Sequence, residues 1–223
     1  MNPEKWTAVD QYITQTIPHS DAALDEAVAA NTAAGLPSID VAPNQGKLLH
    51  LLALATRARR ILEVGTLGGY STIWLARALP ADGRLVTLEV SPKHAEVARG
   101  NLDRAGVGEK VEIRVGPAAV SLEQLVRERA KPFDLIFIDA DKPSNPVYLA
   151  WALKLAKRGS VIVIDNVVRE GAVADAHSTD PGVIGTRAMF EMLAAEPRLT
   201  ATVMQTVGSK GHDGFAIAVV TGD

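Results

Sequence analysis

The sequence predicts an α/β protein: a doubly wound, mostly parallel seven-stranded sheet with an antiparallel C-terminal hairpin and extra N-terminal helices. Three observations carry this. Short runs rich in Val, Ile and Leu recur five times between residues 60 and 165. Stretches with helical spacing separate them, which is the pattern of right-handed strand–helix–strand units. Two last runs follow with no helix between them.

The region 1–57 is predicted to be helical. In "KWTAVDQYITQTI" Trp6, Val9, Ile13 and Ile17 share one helical face, and Pro18 ends the helix. Asp21 suits the N-cap of a second helix that stops near Gly35 and Pro37. "PNQGKLLHLLALAT" reads as a third, apolar through Leu48, Leu49, Leu51, Leu52 and Leu54. The core, 58–223, completes a single domain. Its strands are "RILEV" (60–64), "RLVTLE" (84–89), "VEIRV" (111–115), "DLIFID" (134–139) and "VIVID" (161–165), each with the unbroken apolar run of a strand buried on both faces. "STIWLARAL", "SPKHAEVARGNLDRAG", "AAVSLEQLVRER" and "NPVYLAWALKLAKRG" read as crossover helices. Ser71 and Ser91 suit N-caps, Pro92 a first helical position, and Gly106 and Gly159 helix ends. "VIGTRAMFEMLAAEP" reads as a last helix, and "LTATVMQTV" with "DGFAIAVV" as an antiparallel hairpin at the sheet edge. The alternation is Rossmann-like.

Composition narrows the chemistry. With no cysteine, thiolate catalysis, disulfides and thiolate metal sites are excluded. A net charge of -3 gives no basic footprint for nucleic acid. No apolar run is long enough for a membrane span, and "MNPEKWTAVDQ" lacks a signal-peptide core, so the expectation is a soluble, cytoplasmic domain.

Ligands of open α/β sheets sit beyond the carboxyl ends of the strands. The first such end, "EVGTLGGYS", has glycines at 65, 68 and 69 in a G-x-x-G-G spacing, which is neither a dinucleotide fingerprint nor a P-loop. The second strand ends in Glu89, 24 residues past Gly65, where a carboxylate can accept hydrogen bonds from ribose hydroxyls. Singly, each feature reads as an ordinary turn or a solvated acid; in register they favour a nucleoside-bearing ligand. Asp139 and Asp165 close consecutive strands, and Asn166 adds an amide oxygen. Two carboxylates and a carbonyl oxygen suit a hard divalent cation such as Mg²⁺ or Ca²⁺. Lys142 either pairs with Asp141 at the surface or, beside a divalent cation that favours its neutral form, serves as a general base.

With those residues assembled, the chain resembles the class I S-adenosylmethionine-dependent O-methyltransferases of the cation-dependent, caffeoyl-CoA and catechol type. The likeness runs from "DVAPNQGKLLHLL" through "ILEVGTLGGYSTIWLA", "LEVSPKHAEVARGNL", "VGPA", "FDLIFIDADK" and "VIVIDNVVREGAV" to "DGFAIAV". It implies that Val41, Glu63, Gly65, Thr66, Ser71, Glu89 and Ala118 line the S-adenosylmethionine site, with Asp139 near the cofactor. It implies that Asp139, Asp165 and Asn166 hold Mg²⁺ and that Lys142 deprotonates or orients the acceptor hydroxyl. The implied acceptor is a catechol-type small molecule, and the implied assembly a homodimer. The chain departs from the family pattern at Asn145, where an aromatic is common, and at Ser160, where a second glycine is common. It also offers no evident acid near the hairpin for a second acceptor hydroxyl.

Three other readings compete. A hydroxylated tRNA nucleoside as acceptor would need a local basic patch, for which "RARR" (57–60) and Arg99 to Arg104 are the candidates. An NAD-dependent dehydrogenase is disfavoured by the glycine spacing and the paired strand-end aspartates. A non-catalytic binding module would have no need of Lys142. The polar stretch 169–182 is long for a connector and is expected to act as a lid over the acceptor site.

Overall fold

A computed structural model describes residues 2–17 and 20–222 of the chain. The strands are β1 (Arg60–Val64), β2 (Arg84–Glu89), β3 (Val111–Val115), β4 (Phe133–Ile138), β5 (Ala156–Asp165), β6 (Leu199–Gly208) and β7 (Gly211–Val220). The helices are α1 (Pro3–Thr16), α2 (Ala22–Ala33), α3 (Pro43–Ala55), α4 (Tyr70–Ala78), α5 (Pro92–Arg104), α6 (Ala118–Arg127), α7 (Asn145–Leu155) and α8 (Pro181–Ala195). One seven-stranded sheet has the order β3-β2-β1-β4-β5-β7-β6. β1 to β5 are parallel, β7 pairs antiparallel with β5, and β6 closes the edge antiparallel to β7. The chain winds outward from β1 to β3 and returns to β4, so the strand order reverses between β1 and β4. A crevice opens at such a switch point, beyond the strands' carboxyl ends.

Burial on both faces explains the apolar runs of β1, β2, β4 and β5. β3 is an edge strand with Glu112 and Val115 exposed, so the expectation of two buried faces fails there. Leu62, Val64, Ile136, Ile138, Ile162 and Ile164 point to one side, against Leu122, Leu149 and Met189 of α6, α7 and α8. Ile61, Leu135, Phe137, Val161 and Val163 point to the other, against Leu24, Leu49, Ile73 and Leu102 of α2 to α5. The period of two along a strand then puts Glu63 and Asp165 on the α2–α5 side.

Several expectations need correction. α7 ends at Leu155, and the following "AKRG" opens β5. Gly159 is therefore no helix end; it lies inside β5 at φ +89°, next to a register shift against Phe133 and Leu135. Ser160 closes that irregularity, accepting the Lys157 N–H at 2.9 Å and donating to the Phe133 carbonyl at 2.6 Å. Its hydroxyl serves the sheet. α8 begins at Pro181, with Asp180 accepting the Val183 N–H at 2.9 Å. α1 buries none of its residues: Val9 is exposed, as are Ile17 just past its end and Leu51 and Leu54 of α3. Polar contacts anchor α1 instead, with Asp10 accepting the Ser209 N–H at 2.8 Å and the Asn44 amide at 3.2 Å. Pro18 lies outside the described residues. Within 169–182, Arg169–Ala174 folds as a short 3₁₀ turn kinked at Glu170 and Gly171, and Arg187 donates to the Val173 carbonyl at 2.8 Å. Among the described residues no helix is long and apolar enough to cross a membrane.

Candidate active site

A cavity of about 760 Å³ occupies the crevice, a size ordinary for small-molecule sites. Of the residues singled out in the sequence, Val41, Gly65, Thr66, Ser71, Glu89, Ala118, Asp139, Lys142 and Asn166 line it. They come from the segment before α3, the β1–α4 loop, the end of β2, the start of α6 and the loops after β4 and β5.

The β1–α4 loop approaches the β4 loop closely. Gly65 has φ +100°, and an added Cβ would collide with the Asp139 carbonyl oxygen and lie 2.8 Å from its carbonyl carbon. Gly69, at φ +85°, starts α4 as its N-cap, so Ser71 is not the cap. Glu89 fixes the loop from β2: one carboxylate oxygen accepts the N–H groups of Thr66 at 3.2 Å and Leu67 at 2.8 Å. The other accepts the Ser91 N–H at 3.0 Å, with His94 Nδ1 at 3.4 Å. A carboxylate offers about four acceptor positions, so capacity for a ligand hydroxyl remains.

Glu63 differs from expectation. It is fully buried beneath the loop and does not line the cavity. Its carboxylate accepts the hydroxyls of Ser71 at 2.6 Å, Thr87 at 2.7 Å and Thr72. The parity of β1 turns this side chain toward α4, and Ser71 faces inward to meet it. Burial pushes the Glu63 carboxyl up to about 7, against the pull of the three hydroxyls. A raised folded-state pKa favours folding most below the ordinary value of 4.5, and that advantage is lost as pH rises through about 7. Each tenfold change in proton affinity corresponds to about 1.4 kcal/mol. Ligand-free wild type should therefore lose on the order of 3 kcal/mol from this group as the pH rises from the ordinary carboxyl range to about 8. Glu63→Gln should lack that component. Denaturant unfolding of both proteins across this range measures the difference, and parallel curves would refute the assignment.

At the next strand ends, Asp139 and Asp165 stand one residue beyond the register pairs Val64↔Ile138 and Ile138↔Ile164. Lys142 is nearly buried, and its Nζ lies 2.8 Å from Asp139 Oδ1. The surface pair with Asp141 does not form, because Asp141 accepts the Tyr148 hydroxyl instead. Asp165 is 3% exposed and accepts its neighbour Asn166's N–H at 2.8 Å. Burial, and then the Asp139 charge, raise its carboxyl above the usual range, while Lys142 pulls it back. Asn166, at φ +54°, lines both the main cavity and a second one of about 250 Å³, which Asp165, Asp10, Gln45, Lys210 and Asp213 also border. Among the described residues no three His, Cys, Asp or Glu side chains converge. The oxygen donors offered by these two strand ends are the carboxylates of Asp139 and Asp165 and the amide of Asn166. A buried carboxylate raised by a like charge is what a hard cation relieves, so the donor set fits Mg²⁺.

Three supports of the site were not foreseen from the sequence. Asp213 accepts the N–H groups of Val168 at 3.0 Å and Arg169 at 3.1 Å, fixing the loop after β5 from the hairpin. Asn101, fully buried, donates to the Gly68 carbonyl at 2.8 Å and to Asn31 at 3.1 Å, and Asn31 donates to Asp40 at 2.9 Å. Val90 is 68% exposed yet lines the cavity directly after Glu89. A helix-interior asparagine on a core-facing position was the available signal for Asn101. Asn145, which stands where the family commonly has an aromatic, is buried with neither amide atom partnered among the described residues.

Comparison with known proteins agrees with this geometry. Residues 15–218 match the family model described as O-methyltransferase. The chain is 53% identical over 220 residues to a catechol O-methyltransferase of Niastella koreensis, covering 99% of this chain and 100% of that one. It is 54% identical over 212 residues to a catechol O-methyltransferase of Mycobacterium tuberculosis, covering 95% and 94%. A crystal structure of an O-methyltransferase from Bacillus cereus in complex with S-adenosylhomocysteine superposes with a TM-score of 0.97 at 57% identity, over 99% of this chain and 100% of that one.

Proposed function

The chain belongs to the O-methyltransferase family and is an S-adenosylmethionine-dependent enzyme, and from that premise we propose that it methylates a hydroxyl of a catechol-type small molecule with the help of a divalent cation. The observation that carries the proposal is Lys142, 2.8 Å from Asp139 in the main cavity, with the adjoining strand end supplying Asn166, which lines both cavities, and Asp165, which borders the second. The names of the relatives from Niastella koreensis and Mycobacterium tuberculosis point to the same acceptor class.

In this reading Glu89 takes the ribose hydroxyls and Val90 supplies an apolar surface for the base. Gly65 lets the donor approach the backbone between β1 and β4. The acceptor oxygen attacks the sulfonium methyl carbon in line; the new C–O bond forms as the C–S bond breaks, and S-adenosylhomocysteine leaves. The protein chiefly positions the two partners, which supplies much of the rate. Lys142 is the general base that takes the acceptor proton, and Asp139 holds Nζ in place through their contact. Asp165, Asp139 and Asn166 would hold Mg²⁺, which when bound stabilises negative charge developing on the acceptor oxygen. The exposed apolar side chains of α1 and of β6 (Val9, Tyr12, Val203, Met204) suit contact with a second copy, and a homodimer is the expected state in sedimentation.

Purified protein incubated with S-adenosylmethionine and a catechol panel should form S-adenosylhomocysteine, lose that activity with EDTA and regain it with Mg²⁺. Turnover indifferent to EDTA would remove the cation from the proposal. Binding of S-adenosylmethionine with no catechol consumed would remove the acceptor class.

A further inference from the structure

Arg169 is the one arginine among the described residues that lines the main cavity. Its side chain makes no hydrogen bond or ion pair with any described residue, and its Nε is buried without a partner. Exposed arginines of this chain, such as Arg59, Arg127 and Arg198, each meet a carboxylate. Leaving a guanidinium edge dry and unpaired is unfavourable, because its donors forgo water without gaining an acceptor.

The backbone holds this side chain in position. Arg169 is in the left-handed region at φ +55°, flanked by Glu170 at +56° and preceded by Asn166 at +54°. Such conformations persist only where the surroundings overdetermine them, and they gather at functional sites. Here Asp213 supplies the constraint by accepting the N–H groups of both Val168 and Arg169. The guanidinium is also close to the reacting end of the cavity. A Cβ built on Gly182 would stand 3.0 Å from Asp180 Oδ1, 3.5 Å from Lys142 Cβ and 3.8 Å from Arg169 Nη2. The Lys142 stem and the Arg169 guanidinium thus meet one point on α8, where Asp180 caps the helix without pairing with Arg169.

We propose that Arg169 is a specificity-determining residue that binds an oxyanion substituent of the acceptor, so that the preferred acceptors are catechols carrying a carboxylate. A planar guanidinium matches a carboxylate through two parallel N–H···O bonds, a pairing that a lysine cannot reproduce. The inference rests on the catechol reading above and names the substrate class within it. The same chemistry has a second source, the methionine carboxylate of the methyl donor, and the test separates the two.

The probes are 3,4-dihydroxybenzoate and its uncharged counterpart 3,4-dihydroxybenzamide. Wild type should favour the benzoate in kcat/KM by about 10–100-fold, the range expected of a hydrogen-bonded charged pair. In Arg169→Gln the benzoate-to-benzamide ratio should fall to within about threefold of one, and Arg169→Lys should keep part of the preference. S-adenosylhomocysteine affinity, measured by calorimetry on the same proteins, identifies the source. Weakening there with an intact acceptor ratio would assign the guanidinium to the methyl donor and overturn the proposal. An equal loss on both acceptors would reduce Arg169 to a structural residue and overturn it too, as would a wild type indifferent to the carboxylate. Turnover of the benzamide by wild type tests the catechol reading by itself. If neither probe is consumed, that reading fails and takes the inference with it.

Discussion

Replacing Lys142 with methionine is expected to lower kcat by about 10²–10⁴-fold, the usual contribution of a positioned general base. S-adenosylhomocysteine binding should change little, because the ribose and loop contacts come from Glu89 and the β1–α4 turn. The side chain is nearly buried, with Nζ 2.8 Å from Asp139, so methionine preserves the packed stem and removes only the amine. Two further readouts tell catalysis from structure. Removing a positive charge from beside two carboxylates should leave divalent-cation binding intact or strengthen it, as less like-charge repulsion remains. Lys142→Arg keeps the charge but cannot give up a proton at ordinary pH, so it should be as slow as the methionine variant. Substantial activity in Lys142→Arg would make Lys142 an orienting cation and the proton's destination solvent.

The inner strands were legible because burial on both faces favours runs of Val, Ile and Leu. β3, an edge strand with Glu112 and Val115 exposed, was legible by its valines and isoleucine. "RILEV", "RLVTLE" and "VEIRV" coincide with β1, β2 and β3. The start of β5 was not legible: "AKRG" has no apolar pattern, and its strand form depends on pairing with Phe133, which lies on the far side of α7 in the chain. The chemical side chains could be placed at strand ends from sequence, but their partners could not. Lys142 has Asp139 and Asp141 both close in sequence, and only the turn after β4, with Tyr148 drawing off Asp141, decides between them. Glu63 shows the converse. Its parity with Ile61 already directed it into the α2–α5 layer, whereas the family likeness suggested the cavity wall. Arg169 and Asp213 carry no signal in isolation, since their relation exists only once the hairpin folds back beside β5.

Gly65→Ala is the substitution expected to do most damage to the fold and the donor site together. The new methyl group meets a fixed carbonyl of Asp139, not the end of a flexible side chain, so relief requires the β1 and β4 loops to separate. Overpacking against backbone and the left-handed penalty together give roughly 2–5 kcal/mol of destabilisation. For a chain of this size that is a fall in Tm of roughly 2–4 °C for each kcal/mol. Gly106→Ala separates the two causes. Gly106 has φ +68° but nothing within 4 Å of an added Cβ, so it should show only the conformational part, about 1–2 kcal/mol. Because the displaced carbonyl belongs to the residue that holds Lys142, the Gly65 variant should also lose S-adenosylhomocysteine affinity and turnover, whereas the Gly106 variant keeps both. Equal thermal shifts in the two variants, with donor binding intact, would mean that the close approach of β1 to β4 does not build the site. The division of labour at the switch point would then rest on Glu89 and the β2 end alone.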